Sequence, residues 1–177
     1  MGKTRPTLKI VILALFIALD FVLSPILRVE GMAPMSSVIN VLAAVLMGPL
    51  YATVMAITTG LLRMLLLGIP PLALTGAVFG ALLAGLFYRL GCRPVYALVG
   101  EVLGTGLIGS LLSYPVMVWF TGTQNQLYWF VYTPRFLGAS IGGGLMGLLV
   151  IAALRRVPVY QAVAHYFEPT ERRTMHD

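Results

Sequence analysis

The sequence predicts an all-α integral membrane protein, a compact bundle of six transmembrane helices with the N- and C-termini in the cytoplasm. Three observations carry this prediction. Of the 177 residues, 59% are hydrophobic and only 10% are charged, whereas a soluble domain is roughly 25% charged. Glycine and proline breakers mark off six apolar segments, and the length suits about six spans of ~20 residues joined by short connections. Finally, threading these segments back and forth puts most of the basic residues on one side.

The first segment, about Leu8–Leu27, ends at Ser24-Pro25 or just beyond. Its basic start followed by an apolar run resembles a signal peptide. No A-x-A-like cleavage site follows, however, and Asp20 interrupts the run, so it is read as a helix. The second, about Met35–Met47, stops at Gly48-Pro49. It is too short to cross a ~30 Å core unaided, so either residues from Gly31 onward join it or it leaves a dent that other elements fill. The third starts at Pro49, which suits a first helical turn, and runs to Leu67. The run "GIPP", Gly68–Pro71, then breaks the chain. The fourth, fifth and sixth are about Leu72–Leu90, Val95–Phe120 and Pro134–Arg155. Residues 1–156 are thus read as a membrane domain. Residues 157–177 are read as a cytoplasmic tail, in which Tyr160, Val163 and Phe167 have the spacing of a short amphipathic surface helix.

With the N-terminus inside, nine of the 12 Lys and Arg residues fall on the inner side. Arg28, Arg63 and Arg135 fall on the outer side or outer half. That asymmetry follows the positive-inside rule, so the net charge of +6 calls for no nucleic-acid partner. A single cysteine, Cys92, excludes an internal disulfide and a multi-cysteine metal site. Both histidines, His165 and His176, lie in the tail. No H-E-x-x-H, G-x-S-x-G or P-loop is present. The chain is therefore read as a non-enzyme with no cofactor or metal of its own, unable to power transport by itself.

Small residues recur four apart: Ala14 and Ala18; Gly76, Gly80 and Ala84; Gly100 and Gly104; Gly138 and Gly142. In lipid such rows let helix backbones approach closely. Charged groups at bilayer depth face a cavity or one another. Asp20 lies about 18 Å along the first segment from Leu8, and Arg63 about 21 Å along the third from Pro49. Both segments run outward, so the two charges share a depth and are expected to form an ion pair. Glu101, about 9 Å into the fifth segment, shares a face with Thr105, Ile108, Leu112 and Trp119. It is expected to serve as a polar clasp between helices or as a functional contact.

The outer stretch Ser113–Arg135 is rich in aromatics and amides. Its Tyr114, Trp119, Asn125, Trp129, Tyr132 and Arg135 suit either a headgroup belt or the wall of a pocket for a small heteroaromatic ligand. Asn40, in the middle of the short second segment, is a stronger pocket candidate, because a belt needs no amide. Together these seven residues form the candidate binding set.

The stretches "ALFIALDFVLSPILRV", "INVLAAVLMGPLYATVMAITTGLLR" and "GAVFGALLAGLFYRLGCRPVYALVGEVLGTGLIGSLLSYPV", with the basic C-terminal end, cover most of the membrane portion. In them the sequence resembles the substrate-binding (S) components of energy-coupling factor transporters, and among these the ThiW family. The combination of "GPLYA", "GEVLGTGLIG" and "YPV" with the helix 1 alanines is what makes the resemblance specific. It implies a membrane protein that captures a thiamin precursor, hydroxyethylthiazole, from outside. It also implies partners: a transmembrane T component and two ATPases, which alone use ATP. Ala14 and Ala18 would pack on the T component. The loop Arg28–Ser37 would gate a site in the outer half. The alternatives are an S component for another small vitamin, a small membrane enzyme, or a non-transporting assembly factor.

Overall fold

The computed structural model describes residues 6–26, 28, 33–122 and 129–167, and among them every regular element is helical. The elements are α1 (Pro6–Ile26), α2 (Pro34–Leu67), α3 (Leu72–Gly91), α4 (Pro94–Thr121), α5 (Thr133–Leu154) and α6 (Pro158–Phe167). The first five are long and apolar enough to cross a membrane, which makes this a multi-pass membrane protein.

The second and third predicted segments both lie within α2. Gly48 interrupts that helix with φ 79° and ψ 178°. The Arg63 Nη1 lies 3.5 Å from Ser36 Oγ, yet a straight helix would hold residues so far apart in sequence about 40 Å from each other. The element therefore folds back on itself at Gly48, into an inward arm of residues 34–47 and a returning arm of residues 49–67. The dihedrals of Gly48 belong to a region that only glycine occupies readily. Pro49 follows with a φ already set for a first helical turn and no N–H to satisfy. The break predicted at Gly48-Pro49 is thus a reversal between two helical arms, both counted within α2.

Every residue from Ser36 to Met47 is buried. A helix that is apolar all round belongs in the interior, and this arm forms the centre of the main core cluster. On α5, a Cβ added at Gly143 would lie 2.9 Å from Ser37 Cβ, and one at Gly147 would lie 3.3 Å from Val41 Cβ. Of the two small-residue rows on α5, the packed one is therefore Ala139, Gly143 and Gly147, while Gly138 and Gly142 are exposed. The two rows differ by a single residue, about 100° of helix, and both have the same spacing.

The α3–α4 pair is closer still. A Cβ at Gly100, Gly104 or Gly109 would lie 2.7 Å from the Cα of Ala84, Gly80 or Gly76, respectively. The steps on α3 are four and four, but those on α4 are four and five. The extra residue is absorbed by a π-helical stretch, Val102–Gly109, of the kind that inserts one residue into an α-helix. Beyond it, the buried face of α4 is displaced. Gly109, Ser113 and Met117 face inward, while the predicted Ile108, Leu112 and Trp119 are exposed. This corrects the face expected from a uniform 3.6-residue period.

At the other end of the bundle, α6 packs against the core cluster through Tyr160, Val163, Ala164 and Phe167. Phe167 meets Tyr51 edge-on at 5.0 Å between centroids. Lys9 Nζ lies 5.9 Å from the Tyr51 ring centre and 5.5 Å from that of Phe167.

Two positive-φ positions should respond oppositely to substitution. Gly48→Ala forces a Cβ into a glycine-only region and is expected to destabilise the fold by about 1–3 kcal/mol. Cys92 ends α3 at φ 54°, so Cys92→Gly should stabilise it by about 1 kcal/mol. Thermal unfolding in detergent would check both, as a lowered and a raised midpoint.

Candidate ligand-binding cavity

Two buried polar clusters flank one cavity. The first forms where the end of α1 meets both arms of α2. Asp20 and Ser24 are four residues apart on α1 and so share a face. Arg63 Nη2 lies 2.6 Å from Asp20 Oδ1. It also donates to the Asp20 carbonyl at 2.8 Å and to Ser24 Oγ at 2.6 Å. Ser24 in turn donates to Asp20 Oδ1 at 2.6 Å, and Nη1 reaches Ser36. Asp20 is wholly buried and Arg63 nearly so. A charge buried this deeply is tolerable only when paired and hydrogen-bonded, and this arrangement meets both conditions.

The second cluster joins the inward arm of α2 to α3 and α4. Asn40 Nδ2 donates to the Ala77 carbonyl at 3.2 Å and to Glu101 Oε1 at 3.3 Å. Thr105 Oγ1, one turn beyond Glu101, lies 2.9 Å from Glu101 Oε1 and 3.0 Å from the Gly76 carbonyl, and donates its one hydrogen to either. Gly80 makes room for this carboxylate: a Cβ there would lie 2.6 Å from Glu101 Oε2.

Between the clusters lies a cavity of about 70 Å³, room for roughly five waters. Ser24, Ser36, Ser37, Asn40, Arg63, Glu101 and Thr105 supply its polar lining. Leu72, Ala77, Phe136 and Ala139 are among its apolar walls, and the exposed Arg28 and Arg135 also border it. A largely apolar concavity with a few convergent polar groups is the usual form of a small-molecule site. Among the described residues, no three His, Cys, Asp or Glu side chains gather as a metal site would require.

Of the candidate binding set, Asn40 and Arg135 border this cavity, as do Arg63 and Glu101. Asp20 lies behind Arg63, as its ion-pair partner. The outer aromatics lie elsewhere. Trp119 is 85% exposed and Trp129 is 53% exposed. Tyr114 packs on Trp129 with ring centres 4.8 Å apart, and Tyr132 is buried in a small cluster with Met117 and Phe136. Asn125 lies outside the described residues, as do residues 29–32 of the expected gate. The aromatic that does line the cavity is Phe136, next to the predicted Arg135. Phe136 is not among the residues the sequence singles out, and Ser36 and Ser37, expected at the end of the gate loop, are instead buried in the first turns of α2. The serine pair heading the short second segment is the signal that points to the latter two.

Ala14 and Ala18 are exposed on the flank of α1 away from its buried Ile12, Asp20 and Ser24.

Among known families, the model of the thiamine-precursor transporter protein ThiW matches residues 10–157. No curated protein and no solved structure matches the chain.

Removing one member of the ion pair strands the other in the interior. Asp20→Ala and Arg63→Ala are each expected to destabilise the protein by about 3–5 kcal/mol. The double variant should lose less than the two losses combined. A double-mutant cycle of detergent melting curves would check this, and strictly additive losses would count against the pairing.

Proposed function

This chain belongs to the ThiW family of thiamine-precursor transporters, and from that premise we propose that it is the substrate-binding component of an energy-coupling factor transporter. On this reading it captures hydroxyethylthiazole and hands it inward. A T component and two ATPases drive that step, and the chain itself is not an enzyme and holds no cofactor. It sits in the membrane in the six-segment plan, the two arms of α2 counted separately, with both termini cytoplasmic. Nine of its 12 basic residues fall on that side, in line with the positive-inside rule.

The observation that carries the ligand assignment is the cavity itself. Its walls are mostly apolar, with a few convergent polar groups, the form that suits a single heteroaromatic ring. The buried cation beside it, Arg63, is already paired with Asp20. A neutral, flat ligand that needs apolar walls and one or two hydrogen bonds matches that lining. Isothermal titration of the purified protein with hydroxyethylthiazole and with thiamin tests the assignment. Absence of binding heat with both compounds would remove it.

The docking assignment rests on Ala14 and Ala18, exposed on α1, where small side chains allow a partner helix to approach. Replacing both with leucine is expected to abolish uptake in cells supplied with the T component and ATPases. Ligand affinity of the purified variant should be unchanged. If binding were lost along with uptake, the two alanines would be serving the bundle and not a partner.

A further inference from the structure

The floor of the cavity has a surplus of acceptors. Asn40 Nδ2 uses its hydrogens on the Ala77 carbonyl and Glu101 Oε1. Thr105 Oγ1 directs its single hydrogen to the same carboxylate oxygen or to the Gly76 carbonyl. A carbonyl and a carboxylate can only accept, so the Asn40 amide cannot be turned round without losing both bonds. Two buried atoms of this cluster are left without a hydrogen-bond partner, Asn40 Oδ1 and Glu101 Oε2. Asn40 Oδ1 is an acceptor whatever the charge of Glu101, because the bond to the Ala77 carbonyl fixes which way the amide is turned, and both residues line the cavity. Among the described residues no cation pairs with Glu101, because the buried arginine is bound to Asp20 in the other cluster. Buried acceptors of this kind are completed by a partner that donates.

We propose that Asn40 determines specificity by accepting, through its Oδ1, a hydrogen bond from a hydroxyl or amino group on the substrate. The substrate then enters polar end first, and its ring lies against Leu72, Ala77, Phe136 and Ala139. Glu101, bonded to the Asn40 amide nitrogen, holds that acceptor in place. This assignment rests on the ligand reading above, and it names which end of the ligand the protein reads.

The test is a titration series on the unmodified full-length protein in detergent, with three probes. At the end of the side chain, hydroxyethylthiazole can donate and accept, its methyl ether can only accept, and propylthiazole, with a methyl in place of the hydroxyl, can do neither; the ring nitrogen is common to all three. The alcohol is expected to bind about 10- to 100-fold more tightly than either analogue. Asn40→Leu, which removes the acceptor, should weaken the alcohol about tenfold and bring it close to the affinity of propylthiazole. If the alcohol and the ether bind equally, the hydroxyl is not read as a donor and the assignment is overturned while the thiazole reading stands. If none of the three binds, the thiazole reading fails and this assignment fails with it. The probe series uses the native chain, so the ratio of alcohol to ether affinity decides between these outcomes even if Asn40→Leu folds poorly.

Discussion

The Arg63 guanidinium is the interaction on which the rest of this structure depends. It bonds to Asp20 and Ser24 on α1 and to Ser36 on the inward arm of α2, from its own place on the returning arm. Three helical segments are thereby held together at one level. A guanidinium can do this because its donors diverge in one plane, so a single side chain bonds to a carboxylate, a backbone carbonyl and two hydroxyls at once. At bilayer depth such a group has few tolerable arrangements, which gives the surrounding geometry little latitude. The inward arm is too short to be a span, and it is kept in the interior partly by this anchor and partly by the glycines of α5 that close over it.

Elsewhere the bundle is held by contact and not by charge. Lipid offers helices no hydrophobic reason to associate, so close approach of backbones must supply the attraction, many small dispersion contacts at a time. The α3–α4 seam does this with glycine against glycine or alanine, and the π-stretch keeps its two unequal rows in step. That stretch also turns the outer half of α4, which explains at once why Ser113 and Met117 are buried and why Trp119 faces outward.

These particulars show where the sequence is informative. Membrane class, the Gly48-Pro49 break and the match in depth of Asp20 with Arg63 are legible, because each follows from a strong local constraint: hydropathy, a glycine-only conformation, or the cost of a lone charge. The choice between adjacent glycine rows on α5 is not legible, since both rows carry the same spacing. The inward face of α4 departs from expectation beyond Thr105 because a π-stretch leaves no mark on a uniform helical period. Most of the candidate site is similarly hidden. Tyr and Trp serve equally in a headgroup belt and in a pocket wall, and only tertiary packing separates Trp129 from Phe136. Asn40 is recoverable because an amide in a fully apolar segment has little reason to be there unless something bonds to it.

The contact of Lys9, Tyr51 and Phe167 has a mechanical meaning. Tyr51 lies just after the reversal, Lys9 in the first turn of α1, and Phe167 at the end of α6. One aromatic ring therefore receives both the beginning and the end of the described chain, beside the sharpest bend in the protein. The polypeptide is in effect a loop fastened at one point. A lateral push on α1 at this end of the bundle is therefore passed to α6 and to the bend of α2 through a single ring.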